Sequence, residues 1–262
     1  AIHVPCSGIV DFVGVCEKLK TLVEEKENKV SCGQEVKSIT RTGSELRVDT
    51  AKDHFKTKYL INCAGLYSDH VAQSAGVRPA IQIVPFRGEY FELRPEARHF
   101  VKGLIYPMPN PEFPFLGVHF TKMITGAVEC GPNAVFSFKR EGYDKISFNL
   151  NETIETLNFP GFWNLAKQHW KMGLDEYYRS FSKKAFVKQL QKLIPSIRPV
   201  HLKKAPSGVR AMALQPNGEI LDDFYFEVTQ NEIHVLNAPS PAATAGLAIG
   251  DEIVKRAEKA FM

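Results

Sequence analysis

The first regular pattern of apolar positions along the chain is helical. Apolar side chains recur every three or four residues between residues 12 and 26, with charged residues between them, which is typical of an amphipathic helix. Asp11 stands directly before this stretch and suits an N-cap. The pattern predicts a helix from Asp11 to about Lys26.

The pattern then changes to short strands. Residues 29–58 are divided by turn signals at Thr42-Gly43 and Lys52-Asp53, which predicts a three-stranded meander. Residues 59–61 predict a buried strand, and the small residues 63–65 lead into a helix that begins near Ser68. Such a strand, turn and helix suit a nucleotide that lies against the backbone. A tight turn that admits only small residues is the alternative.

The middle of the chain combines strands with helices. Residues 81–93 and 115–132 alternate apolar and polar positions, as antiparallel strands do. The proline-rich stretch 106–114 between them cannot be a central strand. Residues 151–194 are helical in pattern, and 175–194 predict one amphipathic helix that ends before Pro195.

The last segment predicts a strand, a hairpin and a second small-residue turn. Residues 205–214 favour a strand, and Asn217-Gly218 is a hairpin turn signal. Ser240 suits the N-cap of a final helix with Pro241 in its first turn. The small residues 242–246 would leave this helix start open to an anion or the edge of a cofactor, although they also suit close packing.

Composition narrows the class of protein. The 262 residues are 44% hydrophobic and 24% charged, with a net charge of +4, as in an ordinary globular protein. No basic block indicates nucleic acid, and no apolar run approaches the roughly 20 residues of a membrane span. The five cysteines have no CxxC spacing, so we expect free thiols, no disulfide framework and no metal site.

Arg210 is the first candidate for substrate binding. It stands between glycine and small residues in what the pattern predicts as a buried strand. A buried guanidinium needs a carboxylate partner or an anionic ligand. An ion pair with Glu219, Asp222 or Asp223 is the structural alternative.

Four further side chains are candidates for a site. Arg87 resembles Arg210 in its surroundings, with Glu89 as an ordinary partner. His119 lies in an alternating strand and suits proton transfer if it faces a ligand, although a lone histidine is more often structural. Tyr90 and Tyr106 offer hydroxyl groups, and either can equally be a strand aromatic.

Several segments together resemble a known family. They are CSGIVDF, VPFRGEYF, YPMPNPEFPFLGVHFT, GPNAVFSFKREGY, GVRAMAL and LNAPSPAATAGLAIG. In this order they resemble the L-2-hydroxyglutarate dehydrogenases, flavoenzymes of the D-amino acid oxidase-like superfamily. The resemblance extends over essentially the whole chain.

The resemblance implies an α/β (α+β) fold of the D-amino acid oxidase/glutathione reductase type. Residues 1–79 and 199–262 would form an incomplete Rossmann-like FAD-binding domain, and residues 80–198 an antiparallel-sheet substrate domain. The family begins with a GxGxxG loop, which this sequence lacks, so we expect the chain to start after it. The family also often has His where this chain has Cys6.

The implied activity is FAD-dependent oxidation of (S)-2-hydroxyglutarate to 2-oxoglutarate, with hydride transfer to flavin N5. The implied setting in animals is mitochondrial and membrane-associated, with an electron acceptor other than oxygen. A related FAD-dependent oxidase of amines or amino acids is one alternative, and a truncated, non-catalytic chain is another.

The resemblance also assigns site residues. Arg210 would grip a substrate carboxylate, Arg87 or a tyrosine would hold the second one, and His119 would be the base, with Tyr90 and Tyr106 nearby. The FAD contacts would be Val36, Cys63, Ala64, Gly65, Pro239, Ser240, Pro241, Ala242, Ala243 and Thr244.

Overall fold

The computed structural model describes residues 2–108, 117–238 and 241–261. This part of the chain forms six α-helices and four small sheets. The helices are α1 Phe12–Glu24, α2 Ser68–Ser74, α3 Leu150–Asn158, α4 Pro160–Phe181, α5 Lys183–Leu190 and α6 Gly246–Phe261. The strands are β1 Val36–Thr42, β2 Glu45–Thr50, β3 His54–Thr57, β4 Leu60–Asn62, β5 Gln82–Gly88, β6 Phe91–Leu93, β7 Leu104–Ile105, β8 His119–Lys122, β9 Val128–Gly131, β10 Val135–Phe136, β11 Leu202–Lys204, β12 Gly208–Leu214, β13 Tyr225–Val228 and β14 Glu232–Asn237.

The N-terminal elements agree with the sequence pattern. The Oδ1 atom of Asp11 accepts a hydrogen bond of 3.1 Å from the amide of Val13, so Asp11 is the N-cap of α1. Strands β1, β2 and β3 form an antiparallel meander, which confirms the prediction for residues 29–58.

A three-stranded sheet of order β13-β14-β4 brings the two predicted small-residue turns to one edge. Strand β4 pairs parallel to β14, so residues 63–65 and the chain after Asn237 both leave the carboxyl end of the pair. The prediction that residues 59–61 are buried is wrong at two positions. Tyr59 and Ile61 are 45% and 42% exposed, because β4 is an edge strand and these alternate side chains point outward.

Two antiparallel sheets form the middle of the molecule. Their orders are β10-β5-β12 and β11-β6-β9-β8-β7. The second sheet packs on α5, with the Phe120, Phe186 and Leu190 side chains in the shared core. Residues 202–214, which the sequence places in the FAD-binding part, pair with β5 and β6. A boundary at residue 199 would therefore cut through two sheets, and the division of the chain stays a prediction.

Two helix predictions need correction. The predicted helix 175–194 is broken at Ser182, whose hydroxyl accepts a hydrogen bond of 3.3 Å from the Ala185 amide as the N-cap of α5. The last helix begins at Gly246 and not at residues 240–241. The stretch before it is a looser turn, in which the Pro241 carbonyl accepts from the Ala245 amide at 3.3 Å.

Candidate functional site

The turn after β4 is held open by its own asparagine. The Oδ1 atom of the buried Asn62 accepts from the Ala64 amide at 3.0 Å, and its Nδ2 donates to the Ser68 carbonyl at 2.7 Å. Gly65 has φ +55°, and a Cβ atom there would meet nothing within 4 Å. Cys63, Ala64 and Gly65 are exposed, so the turn presents small residues to open space.

A buried chain of polar side chains supports this turn. Nδ1 of His234 accepts from Asn62 Nδ2 at 3.1 Å, which leaves its Nε2–H to donate to Glu232 at 3.0 Å. Arg41 completes the chain with an ion pair to Glu232. Because buried polar groups are costly without partners, the chain fixes β4 against β14. The sequence pattern does not reveal this chain, since the partners lie 172 and 191 residues apart.

A second cluster of buried polar side chains surrounds Arg140, next to the turn. The guanidinium of Arg140 binds both carboxylate oxygens of Asp69, at 2.7 and 2.9 Å, and also donates to the Leu66 carbonyl. It also contacts His70 at 2.9 Å and Glu155 at 3.5 Å. Asp69, His70 and Glu155 lie close enough to offer metal ligands, but here the cation at their centre is Arg140.

The other predicted FAD contacts lie around the same edge. Residues 241–245 are exposed between β14 and α6, whereas Pro239 and Ser240 lie outside the described residues. Val36 is the first residue of β1 and is exposed. Burial raises the pKa of Tyr67 in this turn, and the negative charges of Glu141 and Glu152 raise it further.

A cavity of about 280 Å³ lies between β5, β12 and the loop after β9. Its lining residues are Phe86, Gly88, Tyr90, Pro132, Asn133, Ala134, Gly208, Val209 and Arg210. The predicted burial of Arg210 is wrong, because its side chain is exposed at this cavity. Among the described residues, no carboxylate forms an ion pair with Arg210. The ion pair with Glu219, Asp222 or Asp223 that the sequence offered as the alternative is therefore not formed.

Arg87 does not share this cavity. It pairs with Val209 in the antiparallel register, whereas Arg210 pairs with Phe86, so the two arginines point to opposite faces of the sheet. Arg87 is 5% exposed, with Nη2 3.0 Å from Glu89 Oε1 and Nη1 donating to the Asp144 carbonyl at 2.8 Å. The structure thus gives Arg87 the structural ion pair that the sequence offered as the alternative, on the face of the sheet opposite Arg210.

His119 is the first residue of β8 and pairs with Gly131 of β9, next to the loop that lines the cavity, but it is not itself among the lining residues. Its Nδ1 is 3.1 Å from the Gly117 carbonyl, and its ring stacks on Tyr106 with centroids 4.2 Å apart and planes inclined by 15°. Burial lowers the pKa of His119, and the positive charge of Arg210 lowers it further, while the Gly117 hydrogen bond opposes both. A neutral imidazole with Nδ1–H donated to a carbonyl leaves Nε2 as a proton acceptor.

The two tyrosines differ in setting. Tyr90 lines the cavity with Arg210; burial raises the pKa of its phenol, although the Arg210 charge opposes this effect. Tyr90 is therefore a hydrogen-bond donor at neutral pH. The Tyr106 ring stacks on His119, and its hydroxyl lies 3.4 Å from Thr121 Oγ1.

A second cavity of about 510 Å³ adjoins the first. The two share Pro132, Asn133 and Ala134, and α4 contributes charged side chains to the second one, among them Lys171 and Arg179. The sequence analysis did not identify these residues. The GPN turn after β9 was a signal for the shared loop, but nothing in the pattern of α4 indicated a cavity.

Comparison with known proteins identifies the family. Residues 1–256 match the model of the family described as DAO, FAD dependent oxidoreductase. The chain is 50% identical over 262 residues to an L-2-hydroxyglutarate dehydrogenase of Indibacter alkaliphilus. The alignment covers all of this chain and 66% of that protein. It is 42% identical over 289 residues to the mitochondrial L-2-hydroxyglutarate dehydrogenase of Dictyostelium discoideum, covering 100% of this chain and 62% of that one.

The fold agrees with this comparison. The structure of dithionite-reduced L-alpha-glycerophosphate oxidase from Mycoplasma pneumoniae with FAD bound matches at a TM-score of 0.67 and 19% identity, over 91% of this chain and 54% of that one. The predicted fold class and the predicted resemblance are confirmed. The chain spans just under two thirds of the length of the two dehydrogenases. It belongs to the DAO family of FAD-dependent oxidoreductases.

Proposed function

We propose that this protein oxidises (S)-2-hydroxyglutarate to 2-oxoglutarate with FAD as its cofactor. The observation that carries the proposal is the relation between Arg210 and His119. The exposed guanidinium of Arg210 faces a cavity and forms no ion pair among the described residues. Burial lowers the pKa of the His119 imidazole, and the Arg210 charge lowers it further. A carboxylate anchor beside a neutral base suits a 2-hydroxy acid, and the names of the two dehydrogenases at 42–50% identity support the same substrate.

The turn at residues 63–65 and the stretch 241–244 are proposed to hold FAD. They follow β4 and β14, two neighbouring parallel strands, and the carboxyl edge of such strands is where open sheets bind nucleotides. Gly65 leaves free space where a side chain would stand, so the residues present fit the cofactor. Val36 would contact its adenine end. When bound, FAD supplies the acceptor for the hydride that leaves the substrate carbon.

Arg210 is proposed to bind the carboxylate next to the hydroxyl-bearing carbon. A guanidinium can donate two parallel hydrogen bonds to one carboxylate, which fixes both its position and its plane. Tyr90 lines the same cavity as a neutral phenol, and it would donate a further hydrogen bond to the substrate.

His119 is proposed to take the hydroxyl proton. The Gly117 carbonyl accepts a hydrogen bond from Nδ1–H of His119. Nε2 therefore has the free lone pair that a general base needs. Tyr106 fixes the plane of the ring by stacking. A pKa below the ordinary histidine value keeps the base unprotonated at neutral pH.

The cellular setting is also a proposal. A mitochondrial location is supported by the name of the Dictyostelium discoideum relative, and we propose an electron acceptor other than oxygen and a peripheral contact with the membrane. Within residues 2–108, 117–238 and 241–261, no helix has both the length and the hydropathy that crossing a bilayer requires.

The proposal is tested by anaerobic mixing of the FAD-loaded protein with candidate substrates. (S)-2-Hydroxyglutarate should bleach the flavin absorbance and yield an equal amount of 2-oxoglutarate. Glycine, sarcosine and proline test the alternative of an amine or amino acid oxidase. Bleaching by one of these and not by (S)-2-hydroxyglutarate would contradict the proposal, and flavin that no substrate reduces would favour a non-catalytic chain.

A further inference from the structure

Two segments of the lining of the Arg210 cavity are joined by one pair of side chains. Residues 88 and 90, at the end of β5 and just after it, form the first segment, and residues 132–134, in the loop after β9, form the second. Glu89 lies between the two lining residues of the first segment, and Asn133 is the middle residue of the second. The contact between these two side chains therefore determines how the segments lie against each other.

Glu89 and Asn133 form three hydrogen bonds with each other. Oδ1 of Asn133 accepts from the Glu89 amide at 2.8 Å, and its Nδ2 donates to Oε2 of Glu89 at 3.1 Å. The Asn133 amide donates to the Glu89 carbonyl at 3.4 Å. Asn133 is 3% exposed, so water does not compete for these bonds, and a satisfied buried polar pair of this kind is rigid.

The carboxylate of Glu89 is also held by the neighbouring chain. Its Oε1 accepts from Nη2 of Arg87 at 3.0 Å and from the Ser180 hydroxyl at 2.9 Å. The Lys145 ammonium lies 3.6 Å from its Oε2. The ion pair with Arg87 thus does more than compensate a buried charge, because it fixes the side chain that holds the loop after β9.

The same loop supports the ring of Tyr90. A Cβ atom at Gly131 would lie 3.1 Å from Cδ1 of Tyr90 and 2.9 Å from the Glu89 carbonyl oxygen, so the ring packs directly on the Gly131 backbone. A Cβ atom at Gly88 would lie 2.8 Å from Cβ of Pro132, so the two segments leave no room for a side chain there. A shift of the loop would therefore move the Tyr90 ring.

We propose that Glu89 and Asn133 form a clamp that positions Tyr90 for the substrate carboxylate bound by Arg210. The inference rests on the proposed function, which places that carboxylate in this cavity. Because Oδ1 and Nδ2 of Asn133 bond to Glu89, the clamp acts through Tyr90 and not on the substrate itself. Glu89 and Asn133 are therefore positioning residues and not catalytic ones.

Reversal of the hydrogen-bond direction tests the clamp. Glu89→Gln places an amide against the Asn133 amide, and Asn133→Asp places a carboxylate against the Glu89 carboxylate, so each single variant should open the clamp. The Glu89→Gln/Asn133→Asp double variant keeps the net charge and again sets a donor opposite an acceptor, so it should close the clamp. Glu92→Gln is the matched control, since Glu92 bonds to Arg98 and Lys203 and lies outside the lining.

Fluorine NMR of the FAD-loaded protein labelled with 3-fluorotyrosine measures the setting of Tyr90 without any ligand, with its resonance assigned from Tyr90→Phe. This resonance should move in each single variant and return toward its wild-type position in the double variant. Glu92→Gln should leave it in place.

Calorimetric titration with 2-oxoglutarate measures the effect on binding. The Kd should rise about fivefold in each single variant, the factor that the loss of one ordinary hydrogen bond gives, and should recover in the double variant. Asn133→Asp added to Tyr90→Phe should weaken binding no further than Tyr90→Phe alone, since the clamp acts through the Tyr90 hydroxyl.

Three results would overturn the inference. A Tyr90 resonance that the single variants leave in place would do so, as would a double variant whose Kd shows the sum of the two single losses, because independent effects add. An equal effect of Glu92→Gln would show a general change in charge. If the single variants move Tyr90 and the double variant restores it, but the wild-type protein does not oxidise (S)-2-hydroxyglutarate, the proposed function fails and the clamp stands.

Discussion

Nδ1 of His119 lies 3.1 Å from the carbonyl oxygen of Gly117, two residues earlier and just before β8 begins. This contact assigns the proton of the neutral ring to Nδ1 and leaves Nε2 free to accept one. The stack on Tyr106 holds the ring in that orientation. The proposed proton transfer depends on this local arrangement, which the Gly117 carbonyl and the Tyr106 ring create.

Replacement of His119 by glutamine should lower kcat by roughly 100- to 10,000-fold, the usual contribution of a general base. Flavin content should not change, because His119 lies on β8 and the proposed FAD contacts lie on other elements. The measurement is steady-state turnover of (S)-2-hydroxyglutarate, normalised to bound flavin. Wild-type turnover in the variant would remove His119 from the mechanism.

The pH dependence should follow the lowered pKa of His119. The base acts when unprotonated, so activity is present above its pKa and is lost as the pH falls through it. The midpoint should therefore lie below the ordinary value of 6.5. Because the Arg210 charge contributes to the lowering, Arg210→Gln should move the midpoint upward.

An NMR titration of the His119 ring in the FAD-loaded protein measures this midpoint directly. Lys20→Gln on the distant helix α1 removes one charge as a control and should leave it in place. A midpoint above 6.5 in the wild-type protein, or one unmoved by Arg210→Gln, would contradict the assigned electrostatics.

Alanine variants of two glycines distinguish the effect of backbone strain from an effect on FAD binding. Gly65 and Gly43 both have left-handed φ, +55° and +63°, with nothing within 4 Å of an added Cβ. Alanine at either position should cost about 1–2 kcal/mol of stability for that conformation. Only Gly65→Ala should also weaken FAD binding, measured as the Kd of FAD by flavin fluorescence. Equal Kd values for the two variants would place FAD away from this turn.

The buried pair of Asp69 and Arg140 should contribute strongly to stability. Asp69→Asn removes the bidentate carboxylate of the buried Arg140 guanidinium and leaves only the longer ion pair with Glu155, and breaking a buried pair costs about 3–5 kcal/mol. Urea unfolding of the FAD-loaded protein measures the change. Glu252→Gln, which breaks an exposed pair with Arg256 on α6, should leave the midpoint in place. A small effect of Asp69→Asn would mean that water enters this site.

Sequence patterns predicted several local elements well. The α1 helix, the β1–β3 meander and the small-residue turn at 63–65 all follow from periodicity and turn residues. Ser182 breaks a predicted helix because its hydroxyl caps α5, and an amphipathic pattern that continues through a serine does not reveal the cap. The start of α6 was placed too early, since residues 241–245 form a turn and the helix begins at Gly246.

The candidate site was only partly predictable. The strand pattern placed Arg87 and Arg210 in similar surroundings, but the β5–β12 register puts them on opposite faces, and a single strand's sequence does not contain that register. Asn62, His234 and Asp69 looked like ordinary polar residues, since their partners lie far away in the chain.

The most direct test of the central claim is a crystal structure of the FAD-loaded protein with 2-oxoglutarate. The account predicts one carboxylate bound by both terminal nitrogens of Arg210, at roughly 2.7–2.9 Å, with the keto oxygen toward Nε2 of His119. A ligand that binds elsewhere, with Arg210 free of any carboxylate, would contradict it.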